Sequence, residues 1–350
     1  MARRSRPPSL SKAWQRGVRA ITRQVALVVK TAARSAARKA ATVKTTTTAK
    51  GAQAKSTAPG RSPRPPSADA GDWLAGVATA AAGMRRFRLY RPAGIAAGER
   101  LPLLVMLHGC GQDAAGFSRS TRMNRLAARE RFLVLYPEQS RLANPQRCWN
   151  WFETESGRAQ GEAALILAAI DQVCLLYPAD RDRVAIAGLS AGGSMAALLA
   201  TRHPDRFKAV AIHSGVPPGL AHSTATALRA MQGRFASSPS PDARPLPPLL
   251  VLHGTKDHVV VPSNAAEAAR QWARAAATTT ERSRSAQRGR RHPMTVTDFK
   301  RGAAIAATLV EIDGLGHAWS GGAAKESFSD AGGPDASTMI WRFVAKRFVT

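Results

Sequence analysis

The chain has 350 residues, 44% of them apolar, and carries a formal net charge of +28 from 51 Lys and Arg against 23 Asp and Glu. That length and apolar content suit one large globular domain and exclude a wholly disordered or fibrous chain. The charge excludes neither fold nor enzyme, because net charge speaks to solubility and partners rather than to fold.

Most of the charge lies at the start. Sixteen of the basic residues precede the first acid, Asp69. Residues 1–70 are built from Ala, Thr, Ser, Pro, Lys and Arg, as in TVKTTTTAK and STAPGRSPRPPS, and are expected to be largely disordered. Within them Trp14, Val18, Ile21, Val25 and Val28 recur at alternating spacings of four and three, with Arg16, Arg19, Arg23 and Lys30 elsewhere on the wheel. This predicts a basic amphipathic helix over 12–31. Two readings stand for the tail: a tether to an anionic or amphiphilic surface (membrane, granule or nucleic acid), or a solvated extension. VALVV is too short for the apolar core of a secretory signal, and no stretch is expected to reach a membrane span.

From about Gly71 the pattern changes, and residues 71–350 are expected to form the catalytic domain. FRLYRP (87–92), LPLLVMLHG (101–109), FLVLYP (132–137), RVAIAG (183–188), KAVAIHSG (208–215), PLLVLHG (248–254) and ATLVEIDG (307–314) read as strands. Helical runs separate most of them. Continuous apolar strands alternating with helices predict an α/β fold, a mainly parallel sheet with helices on both faces. Residues 219–247, rich in Ala, Ser, Thr and Pro, interrupt the alternation as a candidate lid or side insertion. Residues 278–301, with Arg282, Arg284, Arg288, Arg290 and Arg291, read as a basic surface loop, or else as a second contact for an anionic surface.

The stretch that organises the rest is RVAIAGLSAGGSMA (183–196). A chain rich in Gly and Ser generates G-x-S-x-G readily by chance, so the flanks carry the reading: a β-branched run before it and an Ala-, Leu- and Met-rich run after it. Strand, sharp turn and helix make a nucleophile elbow, with Ser190 at its tip and the amide of Ala191 free to receive an oxyanion. A base and an orienting acid should follow on the loops after later strands. His317 in DGLGHAWSGG suits the base and Asp257 in HGTKDHVV the acid; Asp313 is the runner-up for the acid, although it lies close to His317 in sequence. The order Ser190, Asp257, His317 is that of α/β-hydrolases. In LHGCGQD (107–113), flanked by Gly109 and Gly111, the amide of Cys110 is the best candidate for the second oxyanion donor. His108 either braces that loop or is simply packed. The cysteines are isolated and the histidines scattered, so no metal site is expected; nor is a glycine-rich phosphate loop or any cofactor.

LHGCGQ, CWNWF (148–152), GLSAGG, HGTKD and GHAWSGG, in that order, resemble the polyhydroxybutyrate-depolymerase family of esterases, which is related to feruloyl and acetylxylan esterases. The resemblance runs from about Arg85 to Val349. It implies a triad of Ser190, Asp257 and His317, oxyanion donors at Cys110 and Ala191, and an extracellular setting, to which the missing secretory signal sets a cytoplasmic or granule-associated one as the alternative. Trp149, Trp151 and Trp319 are expected either to line an acyl or polymer groove or to belong to the core. Cys110 and Cys148 flank two loops that should meet at the site, which suggests a disulfide between them, with Cys174 left free in a helix. The expected activity is that of a serine ester hydrolase acting on polyhydroxyalkanoate or short hydroxyacyl esters. The alternatives are a feruloyl- or acetylxylan-type esterase, and a granule- or nucleic-acid-surface binding protein whose hydrolase fold is incidental.

Overall fold

The computed structural model describes residues 71–235 and 244–349; the basic segment 1–70, with the helix expected at 12–31, lies outside them. Ten strands form one sheet: β1 (Gly71–Ala80), β2 (Gly83–Pro92), β3 (Leu101–Leu107), β4 (Leu133–Pro137), β5 (Ala179–Leu189), β6 (Ala209–His213), β7 (Leu249–Gly254), β8 (Thr280–Ala286), β9 (Met294–Arg301) and β10 (Ala304–Ile312). Their order is β1-β2-β4-β3-β5-β6-β7-β10-β9-β8. The six strands from β4 to β10 in that order run parallel, and an antiparallel pair extends the sheet at each end. β11 (Trp319–Ser320) and β12 (Ser329–Asp330) make a separate short ladder.

Both alternating sets of side chains on the parallel strands are buried. Leu104 and Met106, Ala185 and Ala187, and Leu250 and Leu252 share one core with Phe117, Phe132 and Trp341, while Leu103, Val105, Ile186, Val210 and Val251 are buried too. A sheet apolar on both sides must be covered on both. The covering helices are α1 (Ala114–Thr121), α2 (Met123–Glu130), α3 (Arg158–Leu176), α4 (Ala191–Arg202), α5 (Thr224–Met231), α6 (Ser263–Ala275) and α7 (Ala336–Ala345). α1, α2 and α7 contribute to the first core, where Phe132 stacks on Trp341 at 3.7 Å between ring centres. α3 packs on β1, β2 and β5, and α6 on β7 and β10.

One expectation changes, and one strand was not expected. β1 carries no clean alternation because Gly76 sits where a Cβ would fall 2.1 Å from the Phe87 ring; the pairing with β2 demands that glycine. The stretch 278–301 is not a loop: β8 and β9 pair antiparallel through it. β8 (TERSRSA) has no buried hydrophobe to reveal it, and its arginines suit an outer strand, where charge discourages pairing with another chain. α3, with 19 residues and a mean hydropathy of 1.4, has the length and composition to cross a membrane, as core helices of globular proteins also can. Ala163, Ile166, Ile170 and Val173 of that helix are nevertheless buried.

Of the segment 219–247, residues 219–235 and 244–247 are described. α5 begins on a capping box in which Ser223 and Thr226 cap each other. Its end is held by Asn264, whose Nδ2 donates to the Ala230 carbonyl at 2.9 Å, and by the Val261 amide bonding Met231.

Candidate active site

β5 ends in a turn that forces Ser190 to φ 55°, ψ −122°. Such a backbone strains any L-residue, and it holds only because the surroundings fix it. A Cβ on Gly188 would fall 2.3 Å from Gly192 C, and one on Gly192 would fall 2.2 Å from Leu107 O. The two glycines are therefore a steric requirement of strand, turn and helix meeting β3. The Ser190 amide donates to the His213 carbonyl at 2.8 Å, which ties the turn to β6.

His317 and Asp257 arrive on two loops bonded to each other. The Thr255 amide donates to Ile312 O at 2.9 Å and the Lys256 amide to Leu315 O at 3.0 Å. Gly254 permits this approach, since a Cβ there would lie 2.1 Å from Leu315 O. The result brings the three residues together: His317 Nε2 lies 2.9 Å from Ser190 Oγ and Nδ1 lies 2.7 Å from Asp257 Oδ2. A carboxylate only accepts, so Nδ1 carries the proton and Nε2 is left to take the serine proton. Asp257 is buried, and its Oδ1 accepts from the Val259 and Val260 amides at 2.9 Å each. Burial alone raises its pKa; His317 and His253 outweigh that and hold the carboxyl far below the usual carboxylate range. Asp313 turns away, accepting from Thr255 Oγ1 at 3.2 Å.

The loop after β3 supplies a free amide by elimination. The Gly109 amide donates to Gln112 Oε1 at 2.9 Å, that of Gly111 to Gln146 O at 2.8 Å and that of Gln112 to Gly109 O at 3.2 Å. The Cys110 amide takes no acceptor among the described residues, nor does that of Ala191 at the first turn of α4. Cys110 is joined to Cys148 by a disulfide, with Cα atoms 4.2 Å apart, and Cys174 is a free, buried thiol. His108 is both packed and bracing. Its Nδ1–H donates to Gly109 O at 2.8 Å, its Nε2 accepts from the Gln139 amide at 3.1 Å, and its carbonyl accepts from Trp149 Nε1 at 3.0 Å. Burial pushes it down to about 4, so it is neutral at pH 7.

Two of the three tryptophans do not line a groove. Trp149 and Trp319 are fully buried; the indole N–H of Trp149 is spent on His108 and that of Trp319 on Ser337 Oγ at 3.2 Å. Trp319 also stacks on His213 and meets Phe117 edge-on. Trp151, 6% exposed and edge-on to Phe152, alone keeps a solvent edge.

Sequence reasoning missed a buried polar frame behind the site. Glu162 on α3 accepts from Gln139 Nε2 and Asn150 Nδ2 at 2.6 Å each and from the Asn150 amide at 2.9 Å. Arg85 on β2 lies 4.0 Å from Glu162, bonds Gln139 Oε1 and sits over the Trp149 ring. No local pattern marks these four residues, which come from separate elements. His213 and His253 were also missed, although each closes an apolar strand (AVAIH, LLVLH) with a polar residue at its carboxyl end, which was the available signal. His213 accepts the Ser320 amide at Nε2, 3.1 Å, and burial pushes it down to about 3.

A ten-stranded, mostly parallel sheet with a serine elbow at the end of a central strand defines the α/β-hydrolase class. The family model described as esterase PHB depolymerase matches residues 85–292, more than half of the chain, and the chain belongs to that family of esterases. His317 lies beyond the matched residues. Poly(3-hydroxyalkanoate) depolymerase C of Paucimonas lemoignei is 34% identical over 193 residues, 52% of this chain and 46% of that protein. Feruloyl esterase B of Neurospora crassa is 31% identical over 188 residues, 49% of this chain and 63% of that protein. The chain thus covers less than two thirds of either relative. Among solved structures, the acetyl xylan esterase from Aspergillus awamori shares the fold with a TM-score of 0.54 at 20% identity, covering 67% of this chain and 89% of that one.

Proposed function

We propose that the chain hydrolyses carboxylic esters through an acyl-enzyme on Ser190, with His317 as general base and Asp257 as the carboxylate that orients it. The observation that carries this reading is the relay of 2.9 Å and 2.7 Å bonds from Ser190 through His317 to a buried carboxylate, on a strained elbow. Ser190 Oγ attacks the ester carbonyl carbon while its proton passes to His317 Nε2. The tetrahedral oxyanion accepts from the amides of Cys110 and Ala191. His317 then protonates the leaving alkoxide, and water repeats the sequence to release the acid and restore Ser190.

The substrate class we favour is a polyhydroxyalkanoate or a short hydroxyacyl ester, supported by the 34% identity to a poly(3-hydroxyalkanoate) depolymerase. Feruloyl- or acetylxylan-type esters are the second reading, supported by the 31% identity to a feruloyl esterase. Residues 1–70, with no acid before Asp69, act in this proposal as a tether to an anionic or amphiphilic surface. A purely surface-binding protein would have no need of the relay. A panel of p-nitrophenyl, hydroxyacyl and feruloyl esters tests the proposal. Ser190→Ala should lose about a million-fold in kcat, as for removal of a triad nucleophile; near-wild-type turnover by that variant contradicts it.

A further inference from the structure

His253 closes β7 with its side chain wholly inaccessible. Its Nε2 lies 2.8 Å from the Val260 carbonyl, which can only accept, so Nε2 carries the proton. The same nitrogen is 3.3 Å from Asp257 Oδ2, the oxygen that receives His317 Nδ1. Nδ1 of His253 is then a bare acceptor, buried without a partner among the described residues. An unpaired buried nitrogen is destabilising, and the end of a fully buried strand ordinarily takes an aliphatic residue. What an aliphatic residue could not provide is the N–H.

We propose that His253 is a positioning residue for ester hydrolysis, a second imidazole that shares the Asp257 carboxylate with His317. The proposal rests on the roles given above to Ser190, Asp257 and His317. Two amides hold Oδ1, the His317 N–H holds Oδ2, and the His253 N–H, bonded to Val260 O, lies with its nitrogen 3.3 Å from the same Oδ2, so the carboxylate is braced at both oxygens as charge develops. The neighbouring imidazole also lowers the basicity of the Asp257 carboxylate. The other titratable groups around the pair are His213 on β6, Glu311 in register with His253 on β10, and the exposed Lys256 and His258 beside Asp257. None of these has a hydrogen bond to the carboxylate among the described residues, so His253 is the second side chain that acts on it directly.

The test uses the full chain, a soluble p-nitrophenyl ester and a pH profile. His253→Phe keeps a ring and removes the donor; His253→Gln returns an N–H near the position of Nε2. His253→Phe should lower kcat roughly tenfold, the order expected for one hydrogen bond to a charged group, with KM unchanged. The acid limb of kcat/KM should move up by about half a pH unit, because the carboxylate behind the base becomes more basic. His253→Gln should recover most of kcat and return the limb. His253→Asn, smaller and too short to reach, replaces the Phe variant if that one does not fold. An unmoved acid limb, or a Gln variant no better than Phe, overturns the proposal. Asp257→Asn serves as the control: wild-type activity there would overturn the triad itself, whereas its loss alongside a wild-type His253→Phe would overturn only the role of His253.

Discussion

The Cys110–Cys148 disulfide, with Cα atoms 4.2 Å apart, fastens the loop that follows β3 to the loop that carries Trp149. The free amide proposed to receive the oxyanion belongs to one of these cysteines. The other lies next to the indole that bonds His108 O. Cys148→Ser should therefore act on two quantities at once. The bridge spans 38 residues, so its loss should lower stability by about 4 kcal/mol in a denaturant melt. Turnover of a short ester should fall with KM nearly constant, since the oxyanion donor matters more in the transition state than in the ground state. A variant with wild-type kcat would show that the loop keeps its shape unaided.

Glu162 and Arg85 form the buried ion pair of the frame behind that loop. Removing one partner leaves the other charge buried and unpaired. Glu162→Ala should cost about 3–5 kcal/mol in chemical denaturation, whereas Arg85→Met with Glu162→Leu should cost distinctly less than the sum of the single changes. Additive losses would contradict the pairing.

Acid should weaken the fold before it protonates Asp257. His108 and His213 are fully buried, and burial lowers them to about 4 and about 3, while an unfolded histidine titrates near 6.5. Between those limits the unfolded chain binds protons that the folded chain refuses, so stability falls as pH drops from about 6.5, by up to about 1.4 kcal/mol per pH unit for each histidine. Asp257 has the depressed folded value usual for a paired carboxyl, so its contribution is full above about pH 4 and is lost only below that. Denaturant midpoints from pH 7.5 to 4.5 check this. His213→Gln should flatten the slope by nearly one proton, and an unchanged slope would mean that His213 is protonated in the fold.

The strain at Ser190 makes a separate forecast. A residue at φ 55°, ψ −122° gains from losing its Cβ, so Ser190→Gly should be inactive yet more stable by about 1–2 kcal/mol. A melting temperature below wild type would show that the Ser190 side chain stabilises the fold by more than the backbone strain costs.

The parts that the sequence makes legible are those where a local pattern meets a steric demand. β3, β5 and β7 hold continuous runs of apolar residues, those of β5 and β7 closing on glycines that the neighbouring backbone leaves no room to replace, and Ser190 and Asp257 stand just past them, as His317 does past β10. β1 and β8 were hidden because neither buries an alternating face: β1 is read only against Phe87, and β8 is exposed almost throughout. Glu162 was hidden because its partners Arg85, Gln139 and Asn150 come together only in the fold. The tryptophans were ambiguous for a plain reason. An indole serves a groove and a core equally well, and only the bonds of Trp149 to His108 and of Trp319 to Ser337 separate the two.

An acyl group that passes through Ser190 can be caught there. The chain is mixed with p-nitrophenyl butyrate, quenched in acid within the first turnovers, digested and analysed by mass spectrometry. A butyryl mass is expected on the peptide containing Ser190 and absent in Ser190→Ala; a His317→Ala variant acylated with a more reactive ester should retain that ester's acyl mass on the same peptide. Product formation with Ser190 unmodified, or the acyl mass on any other residue, would contradict passage through Ser190.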